Sequence, residues 1–354
     1  MKICITAGGT GGHIYPALAL ADELKARHHD IIYIGHQDKM EKDIVSQTNY
    51  PFFGLNNAGL SGNVIKQLKA LWSQFAAIKE AKKILKENKI EKVVSFGGYV
   101  TYPVCEAARQ LKIPYILHEQ NAYAGKANKA LEKKAESVVI CYEHARQYFS
   151  NPHTYLLGNP RSSMVKQQKI NQNILDDYQL DKSKDLIYFV MGSLGSETVN
   201  TVIAKMINDE NWDNIEIVIS SGTNNHSVYQ DNLDKDIAVF SQVDQVSLLP
   251  HCDLVISRAG ATSIAELMAF GVPSILIPSP YVANNHQYFN ALACVDQEAA
   301  LMIEEKELTE NKLSQMIRST LKNKELLKTL KENTQQLAFM DANEKMADLV
   351  EKML

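Results

Sequence analysis

A chain of 354 residues with 45% hydrophobic and 22% charged residues is too long for one comfortable hydrophobic core and suits two α/β domains of ordinary size. This balance excludes a disordered tail or a membrane bundle, and a formal net charge of −4 gives no bulk electrostatic case for nucleic acid. The five cysteines are scattered with no metal-site spacing, so they read as buried reduced thiols of a cytosolic protein.

From Met1 to Thr6 a short apolar run leads straight into glycines, without the longer apolar core of a signal peptide. No apolar stretch approaches the ~20 residues that cross a bilayer. Ile3 to Thr6, Ile31 to Gly35, Val93 to Phe96, Tyr115 to His118 and Val138 to Cys141 read as buried strands with helical patterns between them. That alternation predicts a parallel sheet covered on both faces. The pattern pauses through the polar, Gln/Asn/Lys-rich segment 161–184. It resumes with Leu186 to Met191, Ile215 to Ser220, Ile237 to Phe240, Leu254 to Ser257 and Ser274 to Ile277. The expected division is therefore a first domain at 1–160, a linker region at 161–184 and a second domain at 185–354, closed by packing helices from Leu308 onward. The fold class is α/β, with two Rossmann-like domains whose parallel sheets face across a cleft.

Ligands of such sheets bind beyond the carboxyl ends of the strands, and the chemistry-bearing motifs all fall there. Gly8-Gly9-Thr10-Gly11-Gly12-His13 joins the first strand to a helix. Missing Cβ atoms let amides approach an oxygen-rich ligand, and a helix N-terminus favours negative charge. A dinucleotide fingerprint fails here, because its third glycine would fall on Ile14 and the second strand ends in Gly35-His36 rather than an acid. His13 faces the ligand side, where an imidazole takes a proton from an attacking hydroxyl or merely orients the loop.

Ser95-Phe96-Gly97-Gly98-Tyr99 is either a binding loop or a tight packing turn. His118-Glu119-Gln120-Asn121 places four polar side chains at a strand end, where they need partners; sugar recognition competes with a simple helix cap by Asn121. In the second half, Gly192-Ser193-Leu194-Gly195-Ser196 repeats the cradle logic. Arg258 to Glu266 follows a strand with small residues, a helix start and an acid about one turn in. Amides for a diphosphate beside a carboxylate for ribose hydroxyls are what a nucleoside diphosphate requires. Asn284-Asn285-His286-Gln287 offers amides suited to neutral sugar hydroxyls.

Taken in order, GGTGGHIYPALALA from Gly8, FGGYV, HEQN, Gly158-Asn159-Pro160-Arg161, MGSLGS, RAGATSIAE and NNHQYFNA resemble the MurG family of GT-B glycosyltransferases over nearly the whole chain. The resemblance implies UDP-N-acetylglucosamine as donor and the undecaprenyl-linked precursor lipid I as acceptor. It further implies inversion at the anomeric carbon to give lipid II, for peptidoglycan and cell-wall synthesis. By similarity, Ser193 and the amides of Ala261, Thr262 and Ser263 hold the diphosphate, Glu266 the ribose, and Gln287 with Asn121 the sugar. Thr10, Gly11, Gly12 and His13 face the acceptor, and His13 and Glu119 are the catalytic candidates.

Some positions depart from the family pattern. Met191, Leu194 and Ser196 differ in the third glycine loop, and His286 stands where many relatives carry glutamine. Arg161, a phosphate candidate, directly follows Pro160, and Gln242-Val243-Asp244 replaces the usual uracil-contacting segment. No organic cofactor or metal is expected, and no nucleic acid. The lipid acceptor implies a peripheral enzyme at the cytoplasmic membrane surface, with Leu60, Val64, Ile65, Leu68, Leu71, Trp72 and Phe75 beside Lys66 and Lys69 as the contact segment. A core-facing helix would give the same periodicity. Another GT-B transferase, a UDP-N-acetylglucosamine epimerase and a non-catalytic nucleotide-binding protein are the competing readings. The epimerase would need several further acids in the cleft.

Overall fold

The computed structural model describes residues 1–57, 64–164, 170–192, 195–209, 211–223, 225–229 and 234–353, with backbone alone at 64–71 and 209. The chain divides into two compact units, Met1–Met164 with Phe339–Leu354, and Val165–Ala338.

In the first unit, β1 (Lys2–Thr6), β2 (Asp30–His36), β3 (Phe52–Leu55), β4 (Lys92–Ser95), β5 (Tyr115–Glu119), β6 (Ser137–Ile140) and β7 (Thr154–Leu156) form a 7-stranded sheet in the order β3-β2-β1-β4-β5-β6-β7. Every pairing is parallel, with Ile3 opposite Ile31 on one side and Lys92 on the other. Successive side chains point to opposite faces of a strand, and the core divides accordingly. Cys4, Val93, Leu117 and Val138 belong to one hydrophobic cluster, while Ile3, Val94, Ile116 and Val139 belong to another. A sheet buried on both faces explains why these strands read as unbroken apolar runs rather than alternating ones. Cys4, Cys105 and Cys294 are buried and Cys141 and Cys252 half-buried, all as free thiols; burial pushes Cys105 up to about 12.

The second unit repeats the plan. Its strands are β8 (Asp185–Val190), β9 (Ile215–Ser220), β10 (Ile237–Phe240), β11 (Leu254–Ser257), β12 (Ser274–Leu276) and β13 (Leu301–Met302), in a 6-stranded order β10-β9-β8-β11-β12-β13. All are again parallel. In each sheet the strand order reverses beside the first strand, so the topological switch points lie between β1 and β4 and between β8 and β11. The glycine-bearing turns open at the carboxyl ends of these four strands.

The C-terminal segment departs from the expected division. The helices Glu310–Lys322 and Lys324–Gln336 stay with the second unit, but Phe339–Leu354 belongs to the first, not to a single domain 185–354. Met346, Ala347 and Val350 of the helix Ala342–Lys352 enter the cluster that holds Ile3 and Ile5. The buried Lys92 Nζ donates to the carbonyls of Val350, Glu351 and Met353 at 2.8, 3.0 and 2.8 Å. An ammonium has three donors, and here all of them satisfy carbonyls at the end of that helix.

Candidate active site

Thr10, in extended conformation, precedes the helix Gly11–Ala26, which sets His13 in its first turn, half-buried. The His13 Nδ1 lies 3.0 Å from the Thr10 hydroxyl, a contact that orients the ring through one nitrogen. Gly97 and Gly98 explain how the ring is seated. Both have positive φ, 106° and 90°. A Cβ on Gly97 would lie 2.6 Å from His13 Cδ2, and one on Gly98 would strike the Gly8 carbonyl. The Ser95 to Tyr99 turn is thus a packing turn whose tightness lets His13 lie against its backbone.

Beneath the first glycine loop sits the fully buried Glu41, whose carboxylate accepts from the amides of Gly9 at 3.2 Å and His36 at 2.9 Å. The loop is therefore a less general anion cradle than its glycines suggest: one amide is already engaged, by a group of the wrong sign for a neighbouring phosphate. Thr10, Gly11 and Gly12 lie on the outer, more accessible side of the loop.

The strand β5 delivers His118, Glu119 and Gln120, all buried. Glu119 accepts from the amides of Asn121 at 3.1 Å and Gly125 at 2.8 Å and from Asn128 Nδ2 at 2.9 Å, while burial raises its carboxyl above the ordinary range. Both oxygens thus order the loop 120–125. These contacts support a role in fixing Asn121, whose side chain also donates to Glu119 at 3.3 Å, rather than a direct part in proton transfer. His118 is held by the Gly158 carbonyl at 3.1 Å and a tilted contact with Phe96; burial lowers it to about 4, so it is a neutral structural imidazole. The guanidinium of Arg161 stands over the Tyr15 ring, 5.7 Å from its centroid.

In the second unit, β11 runs through Arg258, Ala259 and Gly260 into the helix Ala261–Phe270. Gly260 is extended, and no side chain among the described residues caps this helix, so the amides of Ala261, Thr262 and Ser263 point from its N-terminus with the positive end of the dipole. The buried Thr262 hydroxyl has no hydrogen-bond partner among the described residues, and a phosphate oxygen would satisfy it. The turn is braced from below: Arg258 donates to the Ile277 carbonyl at 3.1 Å and the Ser196 hydroxyl at 2.6 Å and pairs with Glu305 at 2.6 Å, while Asn290 donates to the Ala259 carbonyl at 3.2 Å.

Glu266, one turn into the same helix, is 5% exposed and accepts a hydrogen bond from the Gln245 amide. Asn284 and Asn285 take left-handed conformations that turn the chain into the helix His286–Val295. His286 Nδ1 bonds to the Ala283 carbonyl at 2.9 Å, and burial lowers its pKa. Gln287 Oε1 accepts from the Ser279 amide at 2.9 Å, which leaves its amide NH2 as the end suited to a sugar oxygen. Gln242 is exposed beyond β10. Ser193 and Leu194 lie outside the described residues, between Gly192 and Gly195. Glu41 and Gln245 are the site-supporting residues that the motifs did not mark.

Two clusters result, each on its own unit: a histidine seated on glycine, and an uncapped helix start with a buried acid. This division has counterparts among known proteins. Residues 3–140 match the glycosyltransferase family 28 N-terminal domain and residues 186–351 its C-terminal domain. The UDP-N-acetylglucosamine–N-acetylmuramyl-(pentapeptide) pyrophosphoryl-undecaprenol N-acetylglucosamine transferase of Exiguobacterium sp. (strain ATCC BAA-1283 / AT1b) is 38% identical over 100% of both chains. The enzyme of the same name from Bacillus subtilis (strain 168) is 34% identical, covering 100% of this chain and 99% of its own. The crystal structure of Acinetobacter baumannii MurG superposes with a TM-score of 0.80 at 27% identity, covering 99% of each chain. With both halves of the fold matched and full-length identity well above 30%, the chain belongs to the MurG family of UDP-N-acetylglucosamine-dependent transferases within glycosyltransferase family 28.

Proposed function

We propose that this chain transfers N-acetylglucosamine from UDP-N-acetylglucosamine to undecaprenyl-pyrophosphoryl-MurNAc-pentapeptide, with inversion, forming the β-linked disaccharide of lipid II for peptidoglycan synthesis. The observation that carries the reading is the helix start at Ala261, which has, among the described residues, three amides without a side-chain cap, a buried hydroxyl at Thr262 without a hydrogen-bond partner and a buried carboxylate at Glu266. Together they match a diphosphate followed by a ribose diol. As the bond from the anomeric carbon to UDP breaks, negative charge grows on the β-phosphate oxygen. Preorganised amides stabilise it there without reorganisation.

His13 acts as the base. The attacking 4-hydroxyl of N-acetylmuramic acid gives its proton to Nε2, which requires the tautomer with the proton on Nδ1, the nitrogen 3.0 Å from the Thr10 hydroxyl. Thr10, Gly11 and Gly12 meet the acceptor. Asn121, held by Glu119, and Gln287 serve the N-acetylglucosamine; His286 and Gln242 flank the donor, Ser193 adds a hydroxyl to the diphosphate, and Arg161 offers a cation. The acceptor carries a polyprenyl tail, so the enzyme works peripherally at the cytoplasmic face of the cell membrane. Among the described residues no helix is long and apolar enough to cross a membrane. Trp72 and Phe75, exposed at 76% and 67%, are apolar groups on the helix Val64–Glu87 suited to a bilayer surface; the neighbouring side chains from Leu60 to Leu71 lie outside the described ones.

The test is turnover of labelled UDP-N-acetylglucosamine with a lipid I analogue. His13→Ala should lower kcat by about 10²–10⁴-fold with UDP affinity within about twofold. A kcat loss of only a few-fold would reduce His13 to a loop organiser.

A further inference from the structure

The segment after β10 is unusually well fixed for a loop. The Tyr178 ring stacks on Phe240 with centroids 4.6 Å apart, and the Tyr178 hydroxyl accepts from the Asp244 amide at 3.2 Å. Asp244 caps the next turn through the Ser247 amide at 3.3 Å and hydroxyl at 2.6 Å. The Ser247 hydroxyl in turn accepts from the Asn171 amide at 2.9 Å. Gln245 stands at the head of the turn Gln245–Leu248, half-buried, and its side-chain amide donates to Glu266 Oε2.

A glutamate has three rotatable bonds, and ordering such a side chain costs up to about 2 kcal/mol of rotamer entropy. A carboxylate asked to receive two adjacent hydroxyls also needs its plane aimed at them. The neutral amide supplies that aim without cancelling the charge, and a carboxylate offers about four acceptor sites, so the amide and a diol can be accepted together.

Building on the reading of Glu266 as the ribose acceptor, we infer that Gln245 is a positioning residue: its amide, carried on the braced turn behind β10, holds the Glu266 carboxylate in the orientation that receives the ribose hydroxyls of the donor. The bland alternative, a glutamine that covers a buried acid, predicts no dependence on the ribose.

The experiment uses the full chain with UDP and 2′,3′-dideoxy-UDP as competing inhibitors. Gln245→Met removes the donor and keeps the length. It should raise KM for UDP-N-acetylglucosamine and Ki for UDP by about fivefold to tenfold, the worth of one such hydrogen bond, with kcat within about twofold and Ki for the dideoxy nucleotide unchanged. In a Glu266→Ala background the same substitution should have no further effect on Ki. Gln245→Glu, equal in size, sets two carboxylates together; its affinity loss should exceed that of the methionine variant and shrink from about pH 8 to about pH 6 as the pair shares a proton. Thermal unfolding of each variant separates loss of fold from loss of aim.

Unchanged or tighter UDP binding in Gln245→Met would overturn the inference, the latter because the amide would then compete with ribose. So would equal losses for both nucleotides. If Glu266→Ala alone leaves UDP affinity intact, the ribose reading fails first; if it abolishes affinity while Gln245→Met does not weaken it, only the positioning role falls.

Discussion

Gly97→Ala is the sharpest probe of the His13 seat. A Cβ there would lie 2.6 Å from His13 Cδ2 and 2.9 Å from Nε2, whereas carbon atoms prefer about 3.5–4.0 Å, so the ring must retreat by roughly 1 Å. A misplacement of about 1 Å at a reacting group costs about 10²-fold in rate, or about 2.7 kcal/mol of transition-state stabilisation. The backbone at φ 106° adds strain of about 1–3 kcal/mol to the folded state. The two effects separate through Gly9→Ala, where φ is 94° and nothing lies within 4 Å of the added carbon: similar strain, no collision with the ring. We expect Gly97→Ala to lose about 10²-fold in kcat, Gly9→Ala markedly less, and both to lower stability in urea by comparable amounts. Steady-state transfer to a lipid I analogue reads the first quantity. In a His13→Ala background, Gly97→Ala should cost only a few-fold more, because the displaced group is already gone. A full additional 10²-fold loss there, or near-normal turnover in Gly97→Ala itself, would refute the seating argument.

Two further outcomes follow from buried polar groups. Lys92→Met strands the carbonyls of Val350, Glu351 and Met353; urea unfolding should show a loss of about 2–4 kcal/mol, with KM for UDP-N-acetylglucosamine unchanged. The folded pKa of His118, about 4 through burial, lies below its unfolded value. Between about pH 6.5 and pH 4 the unfolded chain therefore binds more protons and stability falls as pH falls. Glu119, raised by burial, works in the opposite sense above its unfolded value, so the measurable quantity is a difference: His118→Phe should show a shallower loss of stability than the parent on acidification from about pH 6.5 to 4, and an equal or steeper loss would contradict the neutral-imidazole assignment.

The sheets were largely legible because strands buried on both faces are written as continuous apolar runs; Leu254 to Ser257 and Tyr115 to His118 needed no more than that. Phe52–Leu55, Thr154–Leu156 and Leu301–Met302 escaped notice because they are short edge strands, mostly half-exposed. Their composition therefore carries no two-sided burial. The return of Phe339–Leu354 to the first unit was illegible for another reason: it depends on Lys92 meeting carbonyls some 260 positions later, a pairing no local pattern encodes. Among the site residues the glycines announced themselves. Glu41 did not, although Gly35 inside β2 was its trace, since a Cβ there would meet the Glu41 side chain at 2.7 Å. Gln245 lay in a polar stretch whose significance appears only once Glu266 is placed beside it.

Two sheets with the same strand order present glycine turns at equivalent switch points, so topology alone does not say which should take a nucleotide. Charge supplies the asymmetry, since the helix starts at Gly11 and at Ala261 both lack a side-chain cap among the described residues. Below the turn after β1 lies the buried carboxylate of Glu41, already accepting the Gly9 amide; a diphosphate brought there would meet a like charge in a low-dielectric setting, where repulsion is least screened. Below the turn after β11 the buried side chain of the acid Glu305 is matched by the guanidinium of Arg258 at 2.6 Å, so the helix start there does not sit over an acid lacking a cation. On the proposed reading, the same fold thus serves as an anion site in one half and a poor one in the other. A neutral sugar hydroxyl, which needs a base rather than a counter-charge, is the reactant that suits the half where His13 sits beside Thr10. If exchanging the Glu41 carboxylate for the isosteric amide in Glu41→Gln were to confer measurable UDP affinity on a Glu266→Ala chain, buried charge would be the discriminating factor. If it did not, the buried charge would not be what separates the two halves.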